Sequence, residues 1–189
     1  MQHTDIREIA GGVIPVGATV TVCGWVRTAR DSKNMAFIEL NDGTTLKHMQ
    51  IVVDKATLTP PAAATHLGAA LRVVGTVVEA QNGRGVEINA SAIDVLGDCP
   101  ADYPLQKKFQ KLETLRETPH LRVRTNTFNA VFRVRSVMAA AIHRFFQERG
   151  YVYVNTPLIT GSDCEGAGEM FQVTTIGYSD KYHSREEYY

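Results

Sequence analysis

Between positions 19 and 95, short β-branched runs alternate with polar turns. Residues 19–28 (Thr-Val-Thr-Val-Cys-Gly-Trp-Val-Arg-Thr) predict a strand. The polar turn Asp31-Ser32-Lys33-Asn34 leads to a second strand over residues 35–40, and Asn41-Asp42-Gly43 is a strong turn signal behind it. In a third, residues 47–54, His48, Gln50 and Val52 alternate against Met49, Ile51 and Val53, so the two sets face opposite sides of a sheet. The Ala-rich residues 60–70 predict a short helix. A fourth strand covers residues 71–79, Gln81-Asn82-Gly83 is another hairpin signal, and a fifth strand covers residues 85–95. Five short strands with a helix between the third and fourth are the pattern of an OB-fold barrel; a small SH3-like barrel lacks that helix.

The pattern changes after Gly97-Asp98-Cys99-Pro100, with Pro104 close behind. Over residues 126–149, Phe128, Val131, Phe132, Val134, Met138, Ala141, Ile142, Phe145 and Phe146 recur at helical spacing on one broad face, and Gly150 stands where a left-handed cap belongs. Such a helix is roughly 35 Å long. An ordinary core helix is the simple explanation, but the sequence that follows holds no complete core for it, so a subunit or domain partner is expected. Tyr151 to Val154 reads as a strand ended by Pro157. Next comes a loop in which Gly161, Gly166 and Gly168 mingle with Asp163, Glu165 and Glu169. The glycines permit close approach of backbone to a ligand, and the carboxylates would face a cation such as an ammonium group or Mg²⁺. A solvated surface loop is the alternative.

Composition is that of an ordinary globular chain, 44% hydrophobic and 21% charged, with formal net charge zero. Zero charge argues against a dedicated nucleic-acid binder, because phosphate contacts need a basic face. The distribution modifies that inference. Lys107, Lys108, Lys111, Arg116, Arg122 and Arg124 form one basic cluster, and Arg27, Arg30 and Lys33 another. Either is a phosphate-facing patch or simply an exposed charged face. Cys23, Cys99 and Cys164 are too scattered for a disulfide framework or a zinc site, which suits a reducing compartment; Cys23 is expected to be a small buried hydrophobe. His120 and His143 have no partner at metal-ligand spacing. With no signal-peptide pattern and no apolar run of membrane-spanning length, a soluble cytoplasmic protein is expected.

Phe37 lies mid-strand near Arg30 and Lys33, with Gln50 on the next strand. Phe37 is either a barrel-core residue or a platform on which a splayed base stacks, with Gln50 offering donor and acceptor to that base's Watson–Crick edge.

Residues 152–171, with the core Glu165-Gly166-Ala167, resemble the end of motif 1 and the substrate-covering loop of asparaginyl-tRNA synthetases. Residues 103–108 (Tyr-Pro-Leu-Gln-Lys-Lys) and 121–128 (Leu-Arg-Val-Arg-Thr-Asn-Thr-Phe) resemble the same family's hinge and the entry to its motif 1 helix. The resemblance implies an α+β chain: an OB-fold anticodon-binding domain over residues 1–97, a hinge over 98–124, and the first helix and strand of a class II catalytic domain over 125–189. It implies that Phe37 and Gln50 read the central anticodon uridine, that Arg30 contacts the RNA backbone, and that Glu87 approaches another anticodon base. It further implies that Glu165 pairs with the α-ammonium of the amino acid, with Ser162 and Gly166 as loop contacts, and that the helix over residues 126–149 builds a homodimer. The full-length enzyme would join asparagine to its tRNA with ATP and Mg²⁺. Nothing after Thr175 resembles the phosphate-binding arginine motifs 2 and 3, so these 189 residues alone are expected to be inactive. The rival readings are an aspartyl-tRNA synthetase, including non-discriminating forms, and a stand-alone OB-fold nucleic-acid-binding module.

Overall fold

The alternation in Met35–Asn41 (β2) is the simplest part of the fold to explain. Ala36, Ile38 and Leu40 are fully buried, while Met35, Phe37, Glu39 and Asn41 lie on the outer side, as a half-buried strand requires. The molecule is a computed structural model that describes residues 3–81, 83, 85–107, 110–161, 171 and 173. With Thr19–Asp31 (β1), Met49–Asp54 (β3), Ala70–Glu79 (β4) and Val86–Gly97 (β5), the strands close into a barrel in the order β1-β2-β3-β5-β4. Every pairing is antiparallel except β3 with β5, which runs parallel through Ile51↔Ile88 and Val52↔Asn89. Inward-facing Val22, Ile38, Ile51, Val53, Leu71, Val73, Val77 and Ile88 fill the interior, each at 0% exposure. The five-stranded OB-fold expected from the strand pattern is therefore present, followed by the expected long helix.

Several elements depart from the sequence pattern. The Ala-rich segment forms only a four-residue 3₁₀ turn, Ala62–Thr65. Pro60 and Pro61 donate no backbone hydrogen bonds ahead of it, and Gly68, at φ 87°, ends the excursion under the Tyr103 ring, where a Cβ would lie 3.1 Å from Cε1. Cys23 is half-buried because Val20 and Val22 take the inward positions of β1. Residues 151–157 carry no strand: among the described residues they have no neighbouring strand to bond with, and an isolated strand leaves its N–H and C=O groups unpaired.

The helix Ile6–Ala10 (α1) has no counterpart in the sequence reading. It is five residues long, too short to show periodicity, yet it seals the barrel with Ile6 and Ile9, 0% and 1% exposed. Its cap comes from far along the chain. Asp5, at the N-cap position, makes no side-chain cap bond; instead the Ile6 N–H donates to Asp42 Oδ2 at 2.7 Å and the Arg7 N–H to Thr44 Oγ1 at 3.1 Å. The Asn41-Asp42-Gly43 turn thus closes the β2–β3 connection and satisfies orphan donors of α1 at once. A short helix, Leu112–Glu117 (α2), contributes buried Leu115, and Leu105 is buried ahead of it.

The long helix is Asn126–Gln147 (α3), with no buried residue along it. Its end is a complete Schellman motif. Gly150, at φ 82°, donates to Gln147 O; Tyr151 N–H reaches back to Phe146 O at 3.1 Å; and the Tyr151 ring meets the Phe146 ring edge-on at 5.4 Å. The chain divides into two compact units, Met1–Ala139 and Ala140–Tyr189. Ser162, Cys164, Glu165 and Gly166, with Lys108 and residues 174–189, lie outside the described residues.

Asp42→Ala removes a long-range cap and should cost about 1 kcal/mol, lowering the thermal midpoint by about 3 °C in a chain of this size. Asp5→Ala, which removes only exposed ion pairs with Arg7 and His3, should change the midpoint far less. Equal effects in thermal circular dichroism would show that the cap does not come from Asp42.

Candidate nucleic-acid interface

Side chains on the outer face of β1, β2 and β3 converge because opposite residues of antiparallel strands share a face. Arg30 lies opposite Phe37, Phe37 opposite Val52, and Glu39 opposite Gln50. Arg30, Phe37, Glu39 and Gln50 line one recess of ≈ 260 Å³, together with Thr28, Ala29 and Lys107. Phe37 is half-buried and outside the core cluster. That decides against the barrel-core alternative and leaves an aromatic face at the wall of an open recess.

Gln50 is held from behind. The parallel register Ile51↔Ile88 places it beside Glu87, and Gln50 Nε2 donates to Glu87 Oε2 at 2.8 Å. Among the described residues Glu87 is the one buried charged side chain, 4% exposed. A carboxylate only accepts hydrogen bonds, so Glu87 fixes which end of the Gln50 amide is NH₂. Gln50, a lining residue of the recess, thus holds its Oε1 and NH₂ in a fixed order. Glu39 is the one carboxylate among the lining residues, and its Oε2 accepts from Thr28 Oγ1 at 2.9 Å.

Arg30, Phe37, Gln50 and Glu87 are therefore brought together, whereas Ser162, Glu165 and Gly166 lie outside the described residues. Sequence reasoning missed Glu39, although its two-residue spacing from Phe37 puts it on the same face. Trp25 is 41% exposed at the barrel rim, with the Arg124 guanidinium 4.9 Å above its ring; Arg124 in turn donates to the Tyr103 hydroxyl at 3.3 Å. These contacts tie Tyr103 and Arg124 to the barrel. Among the described residues no group of three or more His, Cys, Asp or Glu could hold a metal ion, and no helix is long and apolar enough to cross a membrane.

Comparison with known proteins agrees with this geometry. Residues 20–96 match the family described as OB-fold nucleic acid binding domain, and residues 111–188 match class II tRNA synthetases (D, K and N). The asparagine–tRNA ligase of Porphyromonas gingivalis is 52% identical over 179 residues, covering 93% of this chain and 38% of that protein. That of Phocaeicola vulgatus is 55% identical over 166 residues, covering 87% of this chain and 36% of that protein. The chain thus spans well under half the length of the curated relatives it matches. Among solved structures, asparaginyl-tRNA synthetase from Pyrococcus horikoshii complexed with asparaginyl-adenylate superposes with a TM-score of 0.80 at 21% identity, covering 92% of this chain and 41% of that one. At that identity the likeness speaks for the fold.

Proposed function

The chain belongs to the asparaginyl-tRNA synthetases of the class II family, and from that premise we propose that its barrel recognises the anticodon loop of the cognate tRNA. The observation that carries the reading is the recess itself: an aromatic wall, an amide of fixed orientation and a cation at one opening. Phe37 supplies the stacking surface, and Arg30 attracts the backbone. Gln50 reads the edge. Uridine offers the O4 acceptor beside the N3–H donor, whereas cytidine offers the N4 amine beside the N3 acceptor. An amide that cannot flip matches one order and opposes the other. Glu87 is then a positioning residue and not a base contact.

The same reading assigns the whole enzyme the ATP- and Mg²⁺-dependent attachment of asparagine to tRNA in the cytoplasm, with Ser162, Glu165 and Gly166 serving the amino acid. The described residues supply no metal site, so the part derived from them is recognition. Dimerisation through α3 belongs to the reading as well. Val134, Met138, Ile142 and Phe145 follow one another at helical spacing and each is about half exposed or more, an apolar stripe of the kind that marks an association surface.

Phe37→Ala should weaken binding of an anticodon stem-loop hairpin by about tenfold or more, since base stacking contributes about 1–3 kcal/mol. Unchanged affinity in a folded variant rules out the platform. Glu87→Gln should act differently. An amide at position 87 accepts either orientation of Gln50, so the preference for uridine over cytidine at the central base should fall while overall affinity changes little. A retained preference, measured by fluorescence anisotropy on the two hairpins, means that something other than Glu87 orients Gln50.

Met138→Asp places a charge in the α3 stripe and should shift the chain from dimer to monomer in sedimentation equilibrium. A parent chain that is monomeric at every concentration removes α3 as an association surface.

A further inference from the structure

A second concavity adjoins the base recess and shares Thr28 and Lys107 with it. It measures ≈ 540 Å³ and is bounded by the barrel on one side and by residues 105–107, 110–115 and 125–127 on the other. Among the described residues its cationic and imidazole groups are Arg27, His48 and Lys107, and none of those lining it is acidic.

Arg27 reaches this cleft through a break in the strand ladder. Val26 pairs with Leu40 and Thr28 with Glu39, so Arg27 is the extra residue of a β-bulge in β1. Bulges re-aim a side chain that regular pairing would place elsewhere. Among the described residues the guanidinium forms no ion pair. Burial, with nearby Arg124 adding to it against Tyr103 and Glu39, lowers its pKa from the ordinary arginine value. Arg27 is thus a half-buried cation without a bonded counter-charge, an arrangement that costs free energy until an anion arrives.

His48 is prepared for the same guest. Asn41 Oδ1 accepts from the Gly43 N–H and its Nδ2 donates to Thr45 O and Lys47 O, which fixes the amide. Nδ2 also lies 3.1 Å from His48 Nδ1, so the anchored amide packs against the imidazole and holds its position. Burial, and secondarily the Arg27 charge, lower the imidazole pKa against the pull of Glu39. At neutral pH His48 is a neutral imidazole beside a cation.

We propose that this cleft binds a phosphodiester of the single-stranded RNA whose base enters the Phe37–Gln50 recess, with Arg27 and Lys107 meeting the phosphate oxygens and His48 donating a hydrogen bond. The inference rests on the anticodon reading, because continuity with the base recess selects a nucleic-acid strand over a free phosphate. It also gives a shared target to the two basic clusters, one on β1 and one near residue 107.

The test is the salt dependence of RNA binding by the 189-residue chain, read by fluorescence anisotropy from about 50 to 300 mM NaCl. Each phosphate contact to a single strand contributes about 0.7 to the slope of log K against log salt. Arg27→Gln should lower that slope by about 0.7 and weaken matched and mismatched anticodon hairpins alike, by about tenfold. Lys107→Gln, at an exposed position where folding is not at risk, should lower the slope by a similar amount. Phe37→Ala should leave the slope unchanged. If both charge variants keep the parental slope while Phe37→Ala still weakens binding, the cleft proposal fails and the anticodon reading stands. If the slopes fall while Phe37→Ala has no effect, the cleft is real and the base recess is not. Loss of discrimination between matched and mismatched hairpins in Arg27→Gln would make Arg27 a base reader and overturn the phosphate role. Inorganic phosphate competing at concentrations that leave ionic strength unchanged would show a free-anion site and also overturn the proposal.

Discussion

Closure of the barrel depends on a two-residue parallel ladder, Ile51↔Ile88 and Val52↔Asn89. Without it the sheet would end in two open edges, each a row of unpaired N–H and C=O groups. The ladder also sets the register of everything near it. Inward, it layers Ile51 and Ile88 in the core; outward, it places Gln50 within hydrogen-bond reach of Glu87, 37 residues away in the chain. Stability and recognition therefore share one constraint. A shift of one residue would expose core side chains and separate the amide from the carboxylate that orients it.

The bulge at Arg27 is the complementary irregularity. Regular alternation along β1 would give inward and outward positions in strict order; the inserted residue changes the phase between Val26 and Thr28. Upstream, Val20, Val22 and Val26 face the core. Downstream, Thr28 and Arg30 join the outer face with Glu39 and Phe37. The bulge lets one long strand serve the core at its start and the recess at its end, and presents Arg27 toward the neighbouring cleft.

Local pattern and non-local geometry were not equally legible in the sequence. Alternation in β2 and β3 located the strands and singled out Phe37 and Gln50, because period two is a property of consecutive residues. It could not place Phe37 outside the core; that required resemblance or structure. The cap on α1 joins Ile6 to Asp42, and the Gln50–Glu87 bond spans the barrel closure. Neither leaves a mark within a window of a few residues. The bulge is invisible for a related reason, since an extra residue in one strand is defined only by its partner strand. Tyr151–Val154 shows the converse: β-branched and aromatic residues suggest a strand, but a strand needs a ladder, and propensity supplies none.

Net charge is a weak guide to a surface for a physical reason. Twenty basic and twenty acidic residues cancel over the chain, but cancellation over a chain is not cancellation at a surface. Several carboxylates that line neither the recess nor the cleft are paired: Asp94 with Arg72 at 2.7 Å, Asp31 with Lys55 at 2.6 Å, and Asp98 with His66 at 2.7 Å. Among the described residues lining the two concavities, Arg27, Arg30 and Lys107 stand with a single carboxylate, that of Glu39, which accepts a hydrogen bond from Thr28, while Glu87 is buried behind Gln50. Screening acts over about 8 Å at physiological salt, so an approaching phosphate responds to this local set far more than to the total. A chain of zero net charge can therefore present a basic groove, and the sum excludes less than its distribution permits.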